Sequence, residues 1–524
     1  EPHFPSFAEV TDRLIAYLEA CGFNTLYYPA VWYHGPLYPS ASQGDSQLGS
    51  RPHPSDFIRY LLGRFAARGL KLVVTFNVHD LPSLAEVETR EERVRAGAPT
   101  PLSVLWNGAL KTSGWHGTPG DYNPVDPAVH GAVKTLVQEL AERYGDSLAF
   151  GGICFHLPRH SLLWFGQLEG GYNDLNLARF QEETGVRLEL DPADPLRANR
   201  AYRQLVGRHR EAWLDWRARR LAAQWSEYAG ILRQRRADLK LAINLYTVLD
   251  STREHLAEVP PEEIDYRGEA REYGADVALL AKIPGVSLMN TFSPGLYRWE
   301  RSRRPPGRPS QRVYRVSDFT PSAYGPFAGL GAPFGVNLHD KYWEDDIGRT
   351  QPLKALREWG QTELGWRVST PVPPAPYCLE NYAQALGEAD VTTLTKGGFV
   401  VGTVGMEEAV RSWAAAFAAL PAVPFHDPPG LADPIRVRWA ARSERTWLYA
   451  QNRLPEPVTL TLRLAGAKAL VRLADGVSLP LREGSLTLQL TGYELVSLGG
   501  PAGVTVVGGE VSGTAPALAR LRAG

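Results

Sequence analysis

Along this chain a short apolar run, a cluster of polar and aromatic residues, and a stretch of helical period follow one another repeatedly. Residues 21–40 show it first. The run 23–31 is too short for a helix and rich in Tyr, and it breaks into Trp32, Tyr33, His34, Gly35 and Pro36. A buried strand feeding a loop reads this way. Residues 70–76 run into Asn77, His79 and Asp80, and 152–155 into His156, Arg159 and His160. Residues 239–243 run into Asn244, Tyr246 and Asp250, and 286–289 into Asn290 and Phe292. Residues 334–338 run into His339, Asp340, Tyr342, Trp343 and Glu344. Weaker runs at 313–316 and 398–403 bring the strands to eight. Between them, helical period predicts helices over 6–20, 55–68, 127–144, 200–236, 269–281, 353–364, 379–389 and 407–420, the first ending at Gly22 as C-cap and the second starting at Ser55 as N-cap. Strand, polar end and helix in repetition predict a (β/α)8 TIM-like barrel, with its site at the C-terminal ends of the strands.

Two stretches depart from that rhythm. Residues 80–123 are long and irregular, with a short charged helix near 84–95, and such loops inside a compact domain are usually functional. This one carries Trp106, Asn107, Trp115 and His116. Residues 421–434 are rich in proline and read as a linker. Beyond them come seven short runs with turn signals and no helix, several alternating with period two. They predict a C-terminal antiparallel β-sandwich. The expected organisation is a barrel over 1–420, the linker 421–434, the sandwich 435–500 and a Gly- and Ala-rich tail 501–524.

Composition adds exclusions. The 56 Lys and Arg against 57 Asp and Glu leave a net charge of −1 over 524 residues, so no bulk attraction to nucleic acid is expected. The three cysteines are far apart and show neither a disulfide framework nor metal-ligand spacing. No run reaches the roughly 20 apolar residues of a membrane span. No signal peptide is visible and the chain begins at Glu1, which reads as a processed form. His156 and His160 are four apart, but Pro158 between them argues against a helix presenting both to a metal. No G-x-S-x-G and no phosphate-binding glycine loop occurs. No metal and no organic cofactor is implied.

The segment GFNTLYYPAVWYHGPLYPS, the strand RGLKLVVTFN and the segment YNPVDPAVHGAVKTLVQELAERYGDSLAFGGICF resemble bacterial family-10-like glycosyl hydrolases. The resemblance covers residues 10–160 well and is looser to about 420. It implies a TIM-like barrel that cleaves glycosidic bonds. One departure stands out: relatives carry acidic residues just after the strand that corresponds to 152–155, where this chain has His156, Leu157, Pro158, Arg159 and His160. Relatives also often begin with one further strand upstream.

Glycoside cleavage needs two carboxyl groups from the ends of different strands, an acid and a nucleophile or base. Asp340 directly follows its strand, with Glu344 expected one helical turn on; a solvated helix start is the competing account of Glu344. Glu169 and Asp174, flanking a Gly-Gly-Tyr turn, are candidates for the partner, although Asp174 would also cap the helix that follows. Asp250 and Asp80 stand in reserve. Trp32, Asn77, His79, Trp106, Trp115, His116, Asn244, Tyr246, Asn290, His339 and Trp343 are the expected substrate-binding residues, with Trp164 a further stacking candidate. The competing readings are core packing for each Trp and loop satisfaction for each Asn. The implied partner is an oligo- or polysaccharide, which would place the protein outside the cell or in its envelope. A carbohydrate-binding or structural protein on the same scaffold, without hydrolytic carboxylates, is the rival reading.

Overall fold

The computed structural model describes residues 6–32, 35–43, 56–78, 80–84, 87–111, 121–157, 163–245, 265–292, 327, 329–331, 333–339, 343–344, 367–368, 375–397, 405–431 and 434–513; at 291, 292, 339, 343, 344, 367, 368 and 397 the backbone alone is described. The chain divides into two compact units. One is Asn24–Asp250 with Glu263–Thr291; the other is Glu1–Phe23, Ser251–Glu262 and Phe292–Gly524.

Helix α1 (Phe7–Cys21) opens the chain. Ser6 caps it in a reciprocal box with Glu9, and Gly22 ends it at a left-handed φ of 71°. The first unit then runs β1 (Thr25–Trp32), β2 (Gly35–Pro36), α2 (Phe57–Ala66), β3 (Lys71–Phe76), α3 (Glu91–Arg95), α4 (Pro127–Tyr144), β4 (Phe150–His156), α5 (Asp174–Thr184), α6 (Arg197–Gly207), α7 (Arg210–Arg235), β5 (Lys240–Asn244), α8 (Tyr266–Glu272), α9 (Val277–Leu280) and β6 (Val286–Phe292). Strands β6, β5, β4, β3 and β1 are neighbours in that order and all parallel. Strand β2 folds back antiparallel on the end of β1, pairing Gly35 with Trp32. The closed barrel expected from the repeat is thus corrected to an open parallel sheet. A hairpin, not another parallel strand, takes the outer edge of β1.

Alternation sorts the two faces of this sheet. Val74, Ile153, Phe155, Leu241, Ile243 and Leu288 are buried on one face. There the Phe155 ring lies 5.0 Å from Trp225 and 6.1 Å from Tyr228 of α7. On the other face Cys154, Ala242 and Met289 cluster with Tyr27 and Val73 packed against them. His156 and Asn244 continue that second face at the C-terminal ends of β4 and β5.

Three helix boundaries differ from expectation. The helix over 200–236 is two helices, α6 and α7, parted at Arg208 and His209, both of whose N–H groups bond back to Gln204 O. The helix over 269–281 is α8 and α9, parted by Gly274 at φ 87°. Asp56, not Ser55, caps α2.

The second unit holds β7 (Phe334–His339), β8 (Trp343–Glu344), β9 (Arg367–Val368), α10 (Glu380–Glu388), β10 (Thr393–Gly397) and α11 (Glu407–Ala418). Strands β7 and β10 (Thr393–Gly397) pair in parallel; the strand expected at 398–403 lies outside the described residues. The strand at 313–316 and the helix at 353–364 lie outside the described residues. Helix α1 belongs here and packs with α11, Arg411 Nε donating to Ala20 O at 2.7 Å.

Strands β11 (Ile435–Arg442), β12 (Arg445–Asn452), β13 (Val458–Ala465), β14 (Ala469–Arg472), β15 (Ser478–Pro480), β16 (Ser485–Leu490), β17 (Leu495–Pro501) and β18 (Thr505–Gly513) form two antiparallel sheets, β11-β12-β17-β14-β15 and β16-β13-β18. Period-two patterning explains the packing. Val458, Leu460, Leu462 and Leu464 point into a shared core with Val437, Leu448, Leu488 and Leu498, while Thr461 faces out to meet Thr487 at 3.2 Å. Strand β18 falls in the stretch expected as a tail; the Gly-rich composition there hides a strand whose Val506 fills the core together with Val504 just ahead of it. In the proline-rich stretch, Phe425 N donates to Asp390 at 3.1 Å and His426 pairs with Trp439.

Candidate active site

The same ends of adjacent parallel strands bring Trp32, Asn77, His156 and Asn244 into one row across β1, β3, β4 and β5. Neighbouring strands stand about 4.8 Å apart, so the row spans three such steps, roughly 15 Å. Trp32 is 38% exposed. Asn77 follows the last residue of β3, its N–H bonded to Val31 O at 2.9 Å. Asn244 is fully buried, and its Nδ2 lies 2.9 Å from His156 Nδ1. The two residues are partners in the β4–β5 register. An amide nitrogen only donates, so Nδ1 of His156 accepts. Desolvation lowers the His156 pKa to about 4, so its ring is neutral near pH 7 and carries its proton on Nε2. His156 as a residue is part-buried, whereas Asn244 is fully buried.

Asp80, beyond β3, accepts from Tyr122 OH and Leu81 N, both at 2.9 Å. Burial, and then the Asp80 charge, push the Tyr122 phenol up. The irregular stretch after β3 is pinned to the loop ahead of α5. Asn173 Oδ1 accepts from Val104 N, its Nδ2 donates to Leu102 O, and buried Asn123 and Asn176 bond to each other at 3.0 Å. This stapling presents Trp106, which is 39% exposed and 5.7 Å from the Tyr202 ring, beside Glu169, whose backbone O accepts from Trp106 N at 2.8 Å. Glu169 ends a short 3-10 turn and is exposed.

Asp174 has a different setting. Asn173 occupies the N-cap of α5, and Asp174 is gripped by Arg197 at 2.7 and 2.6 Å. Arg197, 8% exposed, also donates to Val94 O and Arg95 O, so the pair ties α3, α5 and α6 together. Asn290 is fully buried within β6, on the face of Leu288 by alternation, and its amide atoms have no partner among the described residues. Trp164 is buried against Tyr273, with ring centroids 4.4 Å apart, so it is a core residue.

In the second unit, β7 ends at His339. Glu344 is not on a helix. Trp343 and Glu344 form a short strand paired with Val368 and Arg367. Asp340, His79, Trp115, His116, Tyr246 and Asp250 lie outside the described residues, as do the side chains of His339, Trp343 and Glu344. The described residues contain no group of three or more His, Cys, Asp or Glu arranged to hold a metal, and none of their helices is long and apolar enough to cross a membrane.

In the sequence His156 stands as a polar residue at a strand end and as a weak metal-ligand candidate; the structure makes it the partner of Asn244. Its one sequence signal is its place directly after a buried strand run.

No family model matches the sequence, and no curated protein does. Solved structures do. A catalytic mutant of Gan42B, a GH42 beta-galactosidase from G. stearothermophilus, is similar at TM-score 0.50 and 8% identity, over 94% of this chain and 96% of that one. The beta-galactosidase from Bacillus circulans sp. alkalophilus matches at TM-score 0.47 and 12% identity, over 95% and 97% of the two chains. The cold-adapted beta-galactosidase from a Rahnella species matches at TM-score 0.43 and 14% identity, over 80% of this chain, which spans only 55% of that enzyme. The likeness is one of fold. These three neighbours are beta-galactosidases, and what this chain shares with them is an arrangement of parallel strands and helices followed by antiparallel sheets.

Proposed function

We propose that this protein is a glycoside hydrolase acting on an oligo- or polysaccharide through a pair of carboxylates. The observation that carries the reading is the row at the C-terminal strand ends: an exposed indole, Trp32, followed by Asn77, His156 and Asn244. Aromatic faces and neutral donors and acceptors suit a polyhydroxylated ring, whose faces are apolar and whose edges are polar. The glycosidase-like fold and the resemblance of residues 10–160 to family-10-like glycosyl hydrolases support the same class. Asp340, next to β7, and Glu344 are the proposed reacting carboxylates. Glu169, exposed beside Trp106, is a better candidate for a partner than Asp174, which is already engaged by Arg197.

A second reading has one observation in its favour. The residue that ends β4 is a neutral histidine where the resemblance calls for an acid, which suits a protein that binds glycans without cleaving them.

The test is product release from a panel of polysaccharides and aryl glycosides by the parent and by Asp340→Asn, Glu344→Gln, Glu169→Gln and Asp174→Asn. The parent should cleave at least one substrate. Loss of one reacting carboxylate should lower kcat about a thousandfold or more, with Asp174→Asn within a few-fold of the parent. Retained glycan binding with no cleavage anywhere would replace the hydrolase by the binding protein.

A further inference from the structure

We propose that His156 is a fixed hydrogen-bond donor, through Nε2–H, to an oxygen of the sugar, and that Asn244 is the residue that positions it. This rests on the reading of the strand-end row as a glycan site.

Three observations carry it. First, Asn244 Nδ2 occupies His156 Nδ1 at 2.9 Å, so the ring's other nitrogen is the one left to address a ligand. Second, the two side chains stand on strands paired in register, with Phe155 opposite Ile243 and His156 opposite Asn244. The backbone of both is held by the sheet, so the donor direction is set before a ligand arrives. Third, Asn244 is fully buried whereas His156 is part-buried at the strand end, so only the histidine has surface to offer. A carboxylate at this place would accept hydrogen bonds. A histidine held in this tautomer donates one, and its natural partner is a lone pair on a hydroxyl, ring or glycosidic oxygen. Because the ring stays neutral near pH 7, His156 serves recognition and orientation, and the proton transfers of the proposed reaction fall to the carboxylates.

The experiment is long-range proton–nitrogen correlation on the protein carrying 15N-histidine, with the His156 signal identified by its absence in His156→Gln. The expected result is an unprotonated Nδ1 and a protonated Nε2 from about pH 5.5 to pH 8. The Nε2 signal should shift on addition of one of the methyl glycosides of glucose, galactose or mannose. Asn244→Asp should move the proton to Nδ1, because a carboxylate can only accept. Affinity for the responding glycoside should fall about 3- to 10-fold in His156→Ala and stay within about threefold in His156→Gln, whose amide also donates. A proton on Nδ1 in the parent, or titration near pH 6.5, would overturn the proposal. So would a signal that none of the glycosides moves, whatever the cleavage panel shows. A signal that moves while no substrate is cleaved would remove the hydrolase and leave this donor standing.

Discussion

His156 illustrates how a single residue's surroundings become a measurable property of the whole chain. Burial brings its pKa in the folded protein to about 4, below the 6.5 of an unperturbed imidazole. Between these values the unfolded chain takes up a proton that the folded chain refuses. The folded state is therefore at full strength above pH 6.5 and weakens as pH falls towards 4, by on the order of 3 kcal/mol from this residue. Chemical denaturation at pH 7 and pH 4 should show His156→Gln losing less stability than the parent by about that amount; equal losses would refute it. Asn244 was legible in sequence as a polar residue at a strand end. Its pairing with His156 was not, because the two are 88 positions apart and meet only through strand register. The tryptophans divide similarly. Trp213, Trp216 and Trp225 line the buried side of α7, whereas Trp32 and Trp106 reach solvent. Composition alone treats all five alike.

At the scale of elements, β4 depends on Gly152. Its φ is 128°, and a Cβ built there would stand 1.9 Å from Lys240 O of β5. Gly152→Ala would impose both an unfavourable backbone conformation and an overlap with the neighbouring strand. The expected loss is about 3 kcal/mol or more, read from urea denaturation, and a loss below about 1 kcal/mol would show that the strands can part at little cost. Period and run length located the five parallel strands of the first unit and most helices, since those signals are local. They could not see the break at Gly274, where helical period continues across a left-handed glycine, nor the strand at Glu344, which exists through its pairing with Arg367. For the same reason β18 passed as a tail.

At the scale of the whole molecule, the C-terminal sandwich is fastened within its unit to the α10 and β10 region. Arg453, 9% exposed at its side chain, pairs with Glu388 and donates to Gln384 at 2.9 Å. Tyr493 OH donates to Glu380 at 3.0 Å, and Arg438 pairs with Asp390. Burial raises the pKa values of the Glu380 and Asp390 carboxyls, which the Tyr493 hydrogen bond and the Arg438 charge respectively oppose. Arg453→Ala would leave Glu388 buried without this cation. A stability loss of about 3–5 kcal/mol is expected in chemical denaturation, far above the loss from removing an exposed ion pair. A loss under about 1 kcal/mol would mean that the packed apolar surfaces alone hold the two parts together.

The sequence by itself determined the order of most strands and helices, the cap at Gly22, and the polar and aromatic character of the strand ends. Each of these depends on residues close together along the chain. Only the tertiary structure decided that the sheet ends in a hairpin instead of closing at β1, that Asp174 is spent on Arg197, and that Nδ1 of His156 is taken by Asn244. Those outcomes follow from which distant segments become neighbours, and there the energy of pairing and burial, rather than local propensity, selects the partner.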